Sequence, residues 1–209
     1  MTRQISILAL TGVMVLGLIA TPIATAQDAS APLALASAKV SIAGTSNIHE
    51  FTASTTEVRV TRVALAHGVS GTALLAAVLN PGAVEAFEIA IRTTSLTSPK
   101  EGIDKNMHKA LKATEFKDIT FRLLRLEATA APAPRAVGML KIGGVEREVA
   151  FDLKTTATPG GLTVTGTVPL VMTDYGITPP KAMLGMLKTD PKITVTFEVV
   201  LAVPTTLTR

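Results

Sequence analysis

The chain has 209 residues, no cysteine, no tryptophan and a single tyrosine, which excludes thiolate metal sites and disulfide staples. Its formal net charge is +4, from 20 basic against 16 acidic side chains. Aromatic residues make up only 3% and lie within apolar strand patterns, so no nucleic-acid partner is expected, because stacking platforms interleaved with Lys and Arg are missing.

Arg3 supplies a positive start, Ile5 to Ile19 form an apolar run, and Ala24-Thr25-Ala26 is a small-x-small cleavage pattern before Gln27. An apolar run of about 15 residues is short of the roughly 20 needed to span a bilayer. Residues 1–26 are therefore expected to be a cleaved signal peptide and the mature protein to be exported to a Gram-negative periplasm. No cysteine marks a lipid-anchor site, and no membrane span is expected after cleavage. Residues 27–37 are small and weakly patterned and read as a flexible leader; residues 38–203 read as one β-domain and 204–209 as a tail.

Along that domain, Lys39 to Ala43 and Glu57 to Arg62 alternate apolar and polar side chains, as half-buried strands do, with turn residues Gly44-Thr45-Ser46-Asn47 between them. Gly71 to Leu79 is a run of Ala, Leu and Val that does not choose between helix and strand; its strand neighbours favour strand. Asn80-Pro81-Gly82 ends it. Val84 to Arg92 is a clear strand, with Phe87, Ile89 and Ile91 on one face. The spacing of Ile103, Met107, Ala110 and Leu111 changes to helical, with lysines late in the segment where the helix dipole favours them. The strand Ile119 to Leu126 carries Phe121 and Leu123 inward. Gly143-Gly144 joins Val137 to Ile142 and Arg147 to Lys154 as a hairpin. Phe151 and Leu153 share one face of the second arm. Gly160-Gly161 leads into Leu162 to Val171. After Pro179-Pro180 a short helix is expected over Lys181 to Leu187, since proline suits a first helical turn. The last strand, Lys192 to about Ala202, turns Val195 and Phe197 inward. These elements make an all-β, up-and-down antiparallel sheet, and closure into a barrel would pair its edges and enclose its apolar face.

No reacting constellation stands out. The three histidines, His49, His67 and His108, match no metal spacing, His108 reading as solvated. Ser46, His49 and Glu50 include the residue types of a triad, but near neighbours on a strand point apart, and local backbone hydrogen bonds are the simpler reading. Neither a metal nor a cofactor is expected. Tyr175, among Met172, Gly176 and Ile177, either packs at a strand end or turns its hydroxyl to a ligand. Met172, Met183 and Met186 suit either an adaptable cavity or ordinary core filling.

Four segments in order, Gly44-Thr45-Ser46-Asn47-Ile48-His49-Glu50-Phe51, Met107-His108-Lys109-Ala110-Leu111-Lys112 leading to Phe116-Lys117-Asp118-Ile119-Thr120-Phe121, Leu140-Lys141-Ile142-Gly143-Gly144-Val145-Glu146-Arg147-Glu148-Val149, and Met172-Thr173-Asp174-Tyr175-Gly176-Ile177, resemble the YceI-like family of periplasmic lipocalin-like proteins. The resemblance spans roughly residues 38 to 203. It implies an extended eight-stranded antiparallel β-barrel with one or two short helices in its loops, holding a polyisoprenoid, such as an isoprenoid lipid or the tail of a quinone, in a hydrophobic tunnel. The family carries no common catalytic residue to this chain, and the scarcity of aromatics here implies a cavity that is narrower, shorter or filled. The expected ligand-binding residues are Phe87, Ile89, Ile91, Phe121, Leu123, Phe151, Leu153, Met172, Tyr175, Met183, Met186, Val195 and Phe197.

Three functions remain open on this reading. The first is a non-catalytic lipid carrier, monomeric or homodimeric. The second is a filled barrel, structural or stress-responsive, that meets a protein partner through Leu124 and Val200, which break the outward polar pattern. The third is an enzyme acting on a bound lipid through His49. Alternation alone does not decide between an open and a filled interior.

Overall fold

The computed structural model describes residues 34–67, 74–130, 134–158, 161–182 and 186–202. Its elements are β1 (Ala34–Ser46), β2 (Glu50–Thr55), β3 (Val58–Leu65), α1 (Leu74–Ala77), β4 (Val84–Arg92), α2 (Glu101–Ala110), β5 (Asp118–Glu127), β6 (Arg135–Ile142), β7 (Val145–Thr158), β8 (Gly161–Val171), β9 (Lys181–Ala182) and β10 (Leu187–Ala202). The signal peptide, most of the leader and the tail lie outside the described residues. Of the leader, Ala34 to Ser37 already belong to β1, paired with the end of β10.

One antiparallel sheet runs in the order β2-β1-β10-β8-β7-β6-β5-β4-β3, with β9 attached to β10. The path holds nine strands rather than eight, and the difference lies at one corner. Alternating directions along the path make β2 and β3 run the same way, and only Thr56 and Glu57 separate them. They form one bent strand whose first half pairs with β1 and whose second half pairs with β4. Counted so, eight strands curl round an axis. Among the described residues, the first half of β1 lies against β3 without ladder pairing, leaving a seam.

The bend is fixed locally. Thr55 Oγ1 accepts from the Glu57 amide at 3.0 Å and shares a proton with Ser95 Oγ at 2.8 Å, while the Val58 amide donates to the Thr56 carbonyl at 3.0 Å. Ser54 and Thr97 exchange both backbone hydrogen bonds, so the segment after β4 covers the edge of β2. Thr93 and Leu96 are almost fully buried beneath it. A buried backbone needs such partners because each unpaired group costs about as much as a lost hydrogen bond.

The alternating strands put charge outside. Arg62 and Glu88, and Arg135 and Asp152, are cross-strand neighbours that also form ion pairs, at 3.6 and 3.2 Å. Exposed pairs of this kind contribute about 0–1 kcal/mol each, so the fold rests on the inner face. The Gly143-Gly144 turn takes the expected positive φ at both residues, 56° and 86°.

Two expected elements differ. Leu74 to Ala77, expected as strand, is helix α1, because Ala and Leu are strong helix formers and Ala is poor in strands. Its Leu74 and Val78 plug one end of the barrel against Leu162 and Val164. The helix expected over Lys181 to Leu187 is absent at both described ends. Lys181 and Ala182 pair as a strand with Lys188 and Leu187, consistent with the extended backbone that the proline pair imposes just before them.

A candidate lipid-binding tunnel

Inward-facing residues of every long strand converge on one cavity of about 210 Å³. Phe87, Ile89 and Ile91 come from β4, Phe121 and Leu123 from β5, Phe151 and Leu153 from β7, and Val195 and Phe197 from β10. Leu35, Val58, Val60, Val63 and Leu65 complete the wall beside the seam, and Val78 and Leu79 close it near α1. Every lining residue is apolar. Phe87, Ile89, Phe121, Leu153, Val195 and Phe197 are only half-buried although they point inward. In a filled barrel they would be sealed; here they face open space, so the interior is not filled.

The bore stays open because aromatic rings lie on glycines. Phe197 is the direct cross-strand partner of Gly166, and a Cβ built there would stand 2.5 Å from Phe197 Cζ. Phe121 lies over Gly138 and Phe51 over Gly44 in the same way. A ring placed flat on a side-chain-free position hugs the wall, where otherwise it would project inward. Phe151 packs between Phe121 and Phe197, tilted to the first and edge-to-face with the second, with centroids 5.8 and 5.5 Å away. The tunnel follows β10 from Val195 to Leu201, about 20 Å of strand at roughly 3.3 Å per residue.

Toward the α2 end, the same inner faces continue into a second cavity of about 340 Å³. Met172 lines it, together with Ile42, Phe51, Ile103, Met107 and Ile193, and with the polar residues Ser46, His49, Lys100, Asn106, Lys181 and Thr189. Met107 and Leu111, whose helical spacing was legible, turn out to form part of this wall.

The remaining expected ligand residues are elsewhere. Tyr175, in the short helical turn Met172–Tyr175, is 4% exposed, packs with Met172 and Ile177 in the core, and lines neither cavity. Burial first, then the neighbouring Asp174, pushes its hydroxyl pKa up, against a smaller opposing effect of Arg147. Met186 is 65% exposed and lies outside both walls, and Met183 lies outside the described residues. Ile48 is also exposed; Asn47 ties its turn to the start of β10, donating to the Met186 carbonyl and accepting from the Lys188 amide, both at 2.8 Å.

The serine-histidine cluster is tied into its own turn. Ser46 Oγ donates to the His49 carbonyl at 2.8 Å and accepts from the His49 and Ile48 amides, which fully engages it in its own turn. His49 Nδ1 lies 3.1 Å from the Glu50 carbonyl oxygen and so carries a proton there. His108 is not solvated as expected: its Nε2 donates to the Leu96 carbonyl at 2.8 Å, pinning α2 to the covering segment. Leu124, a candidate partner contact, sits at a bulge between β5 and β6, where Leu123 and Arg125 pair with successive residues; this explains its break from alternation. Val200 is half-buried. Among the described residues, no three His, Asp or Glu side chains converge as metal ligands, and no helix is long and apolar enough to cross a membrane.

Comparisons with known proteins agree with this architecture. BcnA of Burkholderia cenocepacia superposes with a TM-score of 0.62 at 12% identity, over 78% of this chain and 95% of that one. A polyisoprenoid binding domain from Saccharophagus degradans, implicated in plant cell wall breakdown, gives 0.59 at 11% identity, over 83% and 99%. The Campylobacter jejuni YCEI protein gives 0.53 at 13%, over 69% and 80%. No curated protein sequence matches the chain. The family model described as YceI-like domain matches residues 29–201, nearly the whole of the β-domain, and the chain belongs to that family.

Proposed function

We propose that the protein is a non-catalytic carrier in the periplasm for an isoprenoid lipid or a quinone tail, bound within the barrel. The observation that carries this reading is the wholly apolar lining of the tunnel, which offers no polar group to a substrate and a continuous surface to a hydrocarbon chain. Removing such a chain from water contributes about 25 cal/mol per Å² of apolar surface, so a long tail binds tightly without a charged contact. The polyisoprenoid-binding domain of Saccharophagus degradans, which shares the fold, supports the choice of an isoprenoid over a straight acyl chain. The engagement of Ser46 in its own turn supports a carrier over an enzyme, and the signal-like N-terminus supports export.

Organic extraction of protein purified from its native host without detergent, followed by mass spectrometry, tests the proposal. Stoichiometric prenyl lipid is the expected result. Repeated recovery of no lipid, from protein that also fails to take up a prenyl alcohol, would refute it.

A further inference from the structure

The two cavities adjoin along one inner wall. Val40 and Ile42 on β1, Val195 and Ile193 on β10, and Leu170 and Met172 at the end of β8 are pairs two residues apart, the first of each lining the tunnel and the second the cavity beside α2. Residues two apart on a strand share a face, so the inner wall passes directly from one chamber into the other. Its chemistry changes on the way. The tunnel is lined by apolar side chains alone, whereas the outer chamber adds Lys100, Lys181, His49 and Asn106, and no carboxylate occurs among its described lining residues.

Two nearby acids with described side chains are engaged elsewhere. Asp104 accepts a 2.6 Å hydrogen bond from the Ser98 amide, and Glu50 lies with Asp190 and Lys192 along a separate surface depression. Lys100 and Lys181 are exposed, and neither takes part in an ion pair found among the described residues. Both line a largely apolar chamber, one from just before α2 and the other from β9.

We infer that the outer chamber is a head-group site for an anionic amphiphile: the tail threads the tunnel toward α1, and a phosphate or carboxylate head rests between Lys100 and Lys181 at the α2 end. This rests on the carrier reading and fixes two things that reading leaves free, the charge of the head and the direction in which the ligand lies. Ammonium groups at a partly dry mouth favour an anion more than the same groups in bulk water, because the apolar chamber floor lowers the local dielectric. A neutral alcohol offers them a hydrogen-bond acceptor but no charge, and gains less.

The test compares geranylgeranyl phosphate with geranylgeraniol, which share one tail, by competition against a fluorescent lipid at low ionic strength. With two charge-assisted contacts at exposed positions, the wild-type protein is expected to prefer the phosphate by about tenfold. In the Lys100→Gln/Lys181→Gln variant, checked for an unchanged melting curve, the ratio of the two affinities falls to about one. Raising the salt concentration moves the wild-type ratio the same way, since exposed charges are screened. Equal affinities in the wild type, or a preference that survives in the double variant, would overturn the head-group site and leave the carrier reading standing. Failure of both probes to bind would overturn both.

Discussion

Replacing Gly166 with alanine should close the tunnel from within. A Cβ at this position would stand 2.5 and 2.6 Å from Phe197 Cζ and Cε1, closer than real side chains approach, while the nearest backbone atom, the Asp152 carbonyl oxygen, is an ordinary 3.5 Å away. The strand can therefore stay, and the ring must leave its seat. The wall lies behind it, so the free direction is the lumen. An apolar cavity of about 150 Å³ accommodates one benzene in a well-studied lysozyme variant. A displaced phenyl ring would thus take up a substantial part of a 210 Å³ tunnel. If the tail loses on the order of 100 Å² of contact, at about 25 cal/mol per Å², binding weakens by about 2.5 kcal/mol, or roughly sixtyfold. Stability should hardly fall, because alanine recovers about 0.5–1 kcal/mol of backbone entropy relative to glycine within a strand. The measurement is the affinity of Gly166→Ala for geranylgeraniol alongside its melting temperature. Unchanged affinity in a well-folded variant would refute the idea that ring seating keeps the bore open. Gly138→Ala gives the contrast: its Cβ would also lie 2.7 Å from the Arg122 carbonyl oxygen, a backbone obstacle, so this variant should lose stability as well as binding.

Other substitutions probe the same wall. Phe151→Ala removes the ring between Phe121 and Phe197 from an 8% exposed site and should cost about 3 kcal/mol of unfolding free energy in urea titration. Leu153→Glu places an unpaired carboxylate in a lumen with no polar partner; binding of a neutral prenyl alcohol should fall by more than about a hundredfold, with the carboxyl pKa raised by desolvation in NMR titration. The pKa of Tyr175 is raised in the folded protein, so its neutral form is favoured by folding. The corresponding stability is complete below the unfolded value near 10 and is lost as pH rises through the folded one; unfolding curves of wild type and Tyr175→Phe should diverge only above about pH 10.

Much of the sheet was legible because the tunnel-lining strands carry large apolar residues at every second position, as in Phe87-Ile89-Ile91 and Val195-Phe197-Val199. Strand β2 was legible only at its start near His49, since its inward positions shrink and turn polar from Phe51 through Ala53 to Thr55, where Ser95 meets Thr55. The run at Leu74 is helical because the helix preference of Ala and Leu outweighs the strand context on either side of it. At the site, period-two alternation placed nine side chains on the tunnel wall but carried no information about cavity volume. The signal for an open bore was present all the same, in the glycines set inside apolar strands at 44, 138 and 166, each matched by a phenylalanine on the neighbouring strand. Tyr175 and Met186 were singled out by rarity and composition, which say nothing about direction. The second cavity joins β1, β2, α2, β9 and β10, elements far apart in sequence, and only the three-dimensional curl brings Lys100 and Lys181 to its wall.

The most direct test of an open, hydrocarbon-accepting barrel is a crystal structure of the protein saturated with geranylgeraniol. Continuous elongated density along the rings of Phe121, Phe151 and Phe197, running from the α1 end toward Met172, is the predicted result. A lumen without density and collapsed on its own side chains, in protein shown by titration to have bound the alcohol, would contradict it.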